Sequence, residues 1–134
     1  MDRVVVTHWV HPEVAGYLAG FCDPVIPPGR GVAQGSVLAR SDVVLLLTPL
    51  VSLTRRLVAD PGLRTMRPGA FLVNLGRGSV VDEEAVAGAL QEGRLGGYAA
   101  DVFAMEDWAQ PGRPDAIPAR LLAHAVNEPL GPAG

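Results

Sequence analysis

Three short apolar runs, Val43–Leu47, Ala70–Asn74 and Tyr98–Phe103, stand one helix-length segment apart in the middle of this chain. Parallel neighbouring strands need a crossover, usually a helix, so the order strand, helix, strand, helix, strand predicts a parallel α/β layer. The first run, Val-Val-Leu-Leu-Leu, is continuous, the pattern of a strand buried on both faces. Between the runs, Asp60-Pro61 reads as a cap followed by proline at the first helical position, with a stop before Pro68-Gly69. Asp82-Glu83-Glu84 caps and charges the start of a second helix, whose Val86, Ala89 and Leu90 share a face and which Gly93 ends. A shorter helical pattern, Val32–Arg40, precedes the first run.

The opening reads as a strand at Val4–Val6, a helix from Pro12 to Gly20 and a second strand at Cys22–Ile26. Pro27-Pro28-Gly29-Arg30-Gly31 is a stiff break and marks a boundary at residue 30. After Trp108 the chain is irregular, with Pro111, Pro114 and Pro118, and residues 125–134 read as a frayed tail.

At 134 residues, 49% of them hydrophobic, the chain has the length of one domain and enough apolar content for a core. All 11 basic residues are arginine, which excludes lysine chemistry such as a Schiff base or a Walker phosphate loop. The arginines are scattered and the net charge is −3, so no nucleic-acid footprint is expected. Cys22 is the only cysteine, which rules out an internal disulfide and makes a reducing cytoplasm the economical compartment. The start lacks the long apolar stretch of a signal peptide, and the longest apolar run falls short of a membrane span, so no membrane partner is expected.

In parallel sheets function gathers at the carboxyl ends of the strands, here Thr48-Pro49, Asn74–Gly78 and Asp101–Trp108. Gly76-Arg77-Gly78 spaces two glycines like a dinucleotide fingerprint. However, Val81 occupies the third small position, and three carboxylates open the following helix, where they would repel a pyrophosphate. Gly29-Arg30-Gly31 with Gly35 follows two prolines and reads as a turn. Arg77 could present its planar guanidinium to an anion or be a surface arginine in a turn, and both readings stand open. Asp101 and Glu106 could orient a ligand or raise a histidine's pKa, against the alternative of solvated loop carboxylates.

His8 and His11 have no thiol or carboxylate cluster beside them, so no metal site is expected, and His124 is the remaining histidine. Ser79 lacks a nucleophile elbow. Trp9 and Trp108 read as packing residues unless Trp108 lines a pocket.

The block from Arg67 to Trp108, RPGAFLVNLGRGSVVDEEAVAGALQEGRLGGYAADVFAMEDW, resembles the NAD-binding domain of the D-isomer-specific 2-hydroxyacid dehydrogenases. Within that family the wording GRGSVVDE, GGYAADVF and MEDW, with the opening VVVTHWVHPEV, is most similar to the phosphonate (phosphite) dehydrogenase branch. The resemblance implies a partial Rossmann-like parallel sheet with flanking helices, NAD as cofactor and a small anionic substrate, phosphite or a D-2-hydroxy acid. It implies that Arg77 is the substrate-anion arginine and Glu106 the acid that partners a catalytic histidine. Asp101 would contact the nicotinamide carboxamide, and Asn74, Leu75 and Gly76 would line the cofactor groove through their backbone.

The same comparison makes residues 1–30 a remnant of a substrate domain and 31–124 the C-terminal half of the NAD-binding domain. Between Ile26 and Val37 a short junction stands where the family carries most of its substrate domain, its Gly-rich loop and the acid that selects NAD. By an ungapped count from Glu106, Pro132 falls where the family has its general-base histidine. The expectation is an internally deleted, C-terminally truncated dehydrogenase without turnover of its own, which would need a partner chain or a second copy. The rival readings are a non-enzymatic interaction module and a relic of the enzyme.

Overall fold

The computed structural model describes residues 2–6, 12–25 and 34–124. His8, Trp9, His11, the centre of the Pro/Gly junction and the 125–134 tail lie outside the described residues. Among the described residues five strands, β1 (Arg3–Val6), β2 (Asp23–Val25), β3 (Val43–Leu46), β4 (Ala70–Asn74) and β5 (Leu95–Ala100), form one sheet in the order β2-β1-β3-β4-β5. Every pairing is parallel. The helices are α1 (Pro12–Leu18), α2 (Gln34–Ala39), α3 (Asp60–Thr65), α4 (Glu83–Gln91) and α5 (Ala119–Leu122). The expected α/β layer with flanking helices is therefore present, with two strands more than the central pattern alone supplies.

Those two strands come from the opening segment. β1 lies between β2 and β3, with Val4 opposite both Pro24 and Val43, and the Arg3 amide donates to Asp42 Oδ2 at 2.8 Å. The segments on either side of the junction thus share one sheet, and the boundary at residue 30 marks no break in the layer. Backbone pairing explains this, because β3 would otherwise present an unpaired edge.

The core lies on one face of the sheet. Val44, Leu46, Leu72, Val80 and Val86 are each at most 1% exposed and pack with Leu63, Ala87 and Ala89. Burial along β3 and β4 alternates, and Phe71, on the opposite face from Leu72, is 51% exposed. This corrects the expectation of burial on both faces: α2, α3, α4 and α5 pack successively against one another, while α1 packs chiefly on β2 and buries no residue of its own.

Two local readings also shift. The third apolar run sits at Leu95–Ala100 rather than Tyr98–Phe103. Its extent is set by pairing with β4, and its glycines permit the close approach: a side chain on Gly96 would collide with the Gly69 backbone, and one on Gly97 would lie 2.7 Å from the Phe71 ring. In α3 the cap is Ala59, and Asp60 falls inside the first turn, where it binds Arg64 at 2.7 Å. The reading of α4 holds: Asp82 caps it by accepting from the Ala85 amide, and Gly93 follows its end at φ +71°.

Candidate functional site

Because β4 and β5 are parallel and pair Asn74 with Ala100, their carboxyl ends finish side by side. The Asp101 amide donates to the Asn74 carbonyl at 3.2 Å, continuing the ladder into the loops. Asn74 is fully buried and shapes the turn beyond it: its Nδ2 donates to the Arg77 carbonyl at 3.0 Å, and its Oδ1 accepts from the Gly76 amide at 3.1 Å. The Leu75 amide donates to Leu46, and Gly76 packs on β3's end so closely that a Cβ would stand 2.5 Å from the Thr48 carbonyl oxygen. The ends of β3, β4 and β5 therefore meet around residues 74–77.

The structure brings Arg77, Asp101 and Glu106 to this one end of the sheet. Arg77 is exposed, and the hydrogen bond its guanidinium makes among the described residues is with the adjacent Gly76 carbonyl, at 3.3 Å. Asp101 is exposed at the strand end. Glu106 lies in a 3₁₀ turn, Ala104–Glu106, and its Oε1 accepts from the Phe103 amide at 2.9 Å, so the carboxylate caps its own turn. Leu75 is 49% exposed beside them. Trp108 departs from the expectation of a packing residue: it is 82% exposed, and Arg113 stacks over its ring at 4.1 Å.

Beneath these exposed groups lies a buried polar layer that the residue pattern did not single out. Glu83, 5% exposed, accepts the Ala104 amide on Oε1 at 2.7 Å, while its Oε2 is buried without a partner. Burial pushes its carboxyl above the usual range, and the neighbouring charges of Asp107, Glu106 and Asp82 act in the same sense, against the Ala104 hydrogen bond. Asp107, also buried, accepts the Ser79 amide at 2.8 Å. The Tyr98 hydroxyl is buried as well, and burial pushes its pKa up to about 12. One signal pointed to Glu83: it stands three residues before Val86 and seven before Leu90, on the apolar face of α4. Taken only as a charge at the helix start, its place on that face goes unused. No group of three or more metal-ligating side chains occurs among the described residues, and no helix among them is long and apolar enough to cross a membrane.

Residues 29–125 match the family described as D-isomer specific 2-hydroxyacid dehydrogenase, NAD binding domain. The chain is 47% identical over 78 residues to 2-hydroxyacid dehydrogenase A of Aspergillus oryzae, covering 58% of this chain and 22% of that protein. It is 38% identical over 92 residues to the (S)-sulfolactate dehydrogenase of Chromohalobacter salexigens, covering 63% of this chain and 30% of that one. Among solved structures, a glyoxylate reductase from Paecilomyes thermophila superposes with a TM-score of 0.71 at 26% identity, over 90% of this chain and 39% of that one. D-lactate dehydrogenase from Aquifex aeolicus, solved with NAD and lactic acid, gives 0.68 at 27% identity, over 79% and 35%. The chain thus spans less than a third of the length of these two sequence relatives.

Proposed function

The chain belongs to the NAD-binding domain family of the D-isomer-specific 2-hydroxyacid dehydrogenases, and on that premise we propose that it is a half-site domain, able to hold a small oxyanion but not to turn it over alone. One observation carries the reading: an exposed guanidinium at the end of β4, hydrogen-bonded only to the adjacent Gly76 carbonyl among the described residues, stands on the strand beside the one that leads to Asp101 and Glu106. In this reading Arg77 pairs with the substrate anion through its planar fork. Glu106 is the acid that would partner a histidine supplied from elsewhere, and Asp101 faces the nicotinamide carboxamide, with the Asn74–Gly76 backbone as the groove floor.

NAD, when bound, supplies the hydride acceptor in such chemistry. The residues present suit one end of it. The nicotinamide end has the exposed residues Leu75, Arg77 and Asp101. The pyrophosphate end would need a glycine turn after the first strand and free amides at a helix start. Here the sequence from Thr7 to His11 holds no glycine, and α1 opens on Pro12, which has no N–H, with Glu13 in its first turn. A complete dinucleotide site is therefore not assembled by this chain.

The wording GRGSVVDE and MEDW supports phosphite as the oxyanion, with a D-2-hydroxy acid as the alternative. A partner chain of different sequence would bring the histidine and the pyrophosphate turn, and the lone cysteine supports a reducing, cytoplasmic setting. The test is thermal unfolding with and without millimolar phosphite and NAD, because a ligand at a hundredfold excess over its dissociation constant stabilises the native state by about 2.7 kcal/mol. A midpoint raised by several degrees by phosphite, abolished in Arg77→Ala, is expected. No shift with either ligand would sink the half-site reading. NADH formation from phosphite by the chain alone would refute the claim that it needs a complement.

A further inference from the structure

Two turns flank the exposed groups: the 3₁₀ turn Gly78–Val80, directly after Arg77, and the 3₁₀ turn Ala104–Glu106, which contains Glu106. Each is held by a carboxylate that belongs to the other side. Glu83, at the start of the helix that follows the first turn, accepts the Ala104 amide of the second at 2.7 Å. Asp107, the residue after the second turn, accepts the Ser79 amide of the first at 2.8 Å. Both bonds are buried, and between them Gly78 lies so close to the Phe103–Ala104 backbone that a Cβ has no space. On its far side the first turn is tied to another segment, through Arg56 N–H to Ser79 O at 2.7 Å and Val58 N–H to Val80 O at 3.1 Å.

From this reciprocal exchange we propose that Glu83 and Asp107 are positioning residues, a crossed carboxylate latch that fixes the spacing between the Arg77 turn and the Glu106 turn. The proposal deepens the half-site reading and rests on it for its functional consequence. The physical basis is the strength of the two bonds. A carboxylate accepting a backbone amide in a buried setting is a charge-assisted bond, and its loss strands an N–H where water does not reach. With both bonds made, neither turn can move without breaking its neighbour's. The orientation of Arg77 relative to Glu106 is then a property of the pair rather than of either loop.

The experiment compares Asp107→Ala with Asp107→Asn, the latter keeping a carbonyl acceptor for the Ser79 amide. Three measurements are made on the full chain: cooperative unfolding, the Gly78 to Ala104 proton contact by NMR, and phosphite affinity by titration. The expected result is that Asp107→Ala loses the proton contact and binds phosphite about tenfold or more weakly, while Asp107→Asn keeps the contact and stays within about threefold of the parent. If Asp107→Ala folds, keeps the contact and binds like the parent, the latch is overturned. If the parent itself binds no phosphite, the half-site reading fails. The latch is then judged on the proton contact alone: a contact retained in Asp107→Ala overturns it, and one lost in Asp107→Ala but kept in Asp107→Asn supports it. If Asp107→Ala does not unfold cooperatively, Glu83→Gln, which keeps the acceptor, and Glu83→Ala, which does not, take its place with the same two outcomes.

Discussion

Replacing Gly78 by alanine probes the closest backbone approach near the site. A Cβ built there meets the Phe103 carbonyl and the Ala104 nitrogen well inside the 3.0 Å that real Cβ atoms keep from their neighbours. An ordinary carbon contact needs roughly 3.5 Å or more, so the two turns must part by about 1 Å or more. Both sides are backbone, so no side-chain rotation relieves the clash. The same separation stretches the Ser79–Asp107 bond from 2.8 Å and the Ala104–Glu83 bond from 2.7 Å, taking both beyond hydrogen-bonding distance. Each is a buried bond to a carboxylate, worth about 1.5–3 kcal/mol, so the loss is about 3–6 kcal/mol. Against a total of roughly 5–15 kcal/mol for a domain, that is a large fraction.

Urea unfolding followed by circular dichroism measures it, and in a thermal scan the midpoint temperature is expected to fall by about 10 °C or more for a chain of this size. Gly16→Ala is the control: a Cβ there meets nothing within 4 Å, and an alanine inside α1 should raise stability by up to about 1 kcal/mol. If Gly78→Ala unfolds within about 1 kcal/mol of the parent while the Ser79 and Ala104 amides stay protected, the close-approach argument is wrong.

Two further outcomes follow from the core and the buried carboxylate. Leu72→Ala, in the middle of β4 and wholly buried, should cost about 2–5 kcal/mol in the same urea assay; a loss below about 1 kcal/mol would mean that the sheet collapses onto the cavity. Glu83 has a folded-state pKa raised above its unfolded value, so the folded state holds the proton more tightly and stability falls as pH rises between those two values. Glu83→Gln lacks that proton. Stability measured against pH should therefore show the variant gaining on the parent from about pH 4.5 upward, by less than about 1.4 kcal/mol per pH unit, and then holding level. A parent that gains on the variant as pH rises would reverse the sign and refute the burial argument.

Much of the site was legible in the residues because its parts are local. β4 runs over Ala70–Asn74, as its apolar run indicates, and α4 is capped by Asp82 and followed by Gly93 at positive φ. Arg77, Asp101 and Glu106 fall at strand ends because a parallel α/β order leaves them nowhere else. The burial of Glu83 was not legible, for the opposite reason. A glutamate in a first helical turn ordinarily faces water. What buries this one is the loop that arrives 21 residues later and lays the Ala104 amide on it. Trp108 shows the converse: a large aromatic suggests packing, but it stands past the end of β5 with only Arg113 stacked over it among the described residues.

The division between the two sources of information follows the range of the forces. Caps, proline stops, glycine ends and apolar runs act over a few residues, so the residues alone were enough for the α/β class, the succession of strands and helices along the central segment and the strand ends at which the exposed charges gather. The three-dimensional fold settled the rest. It placed β1 and β2 in the same sheet by pairing Arg3 with residues 20 and 39 positions away. It admitted Gly96 and Gly97 into a strand because a neighbouring backbone required their lack of a side chain. It also set Phe71 on the sheet face opposite the core, 51% exposed among the described residues. Those outcomes depend on contacts between distant segments, whose energies appear only once the chain has closed the loops between them.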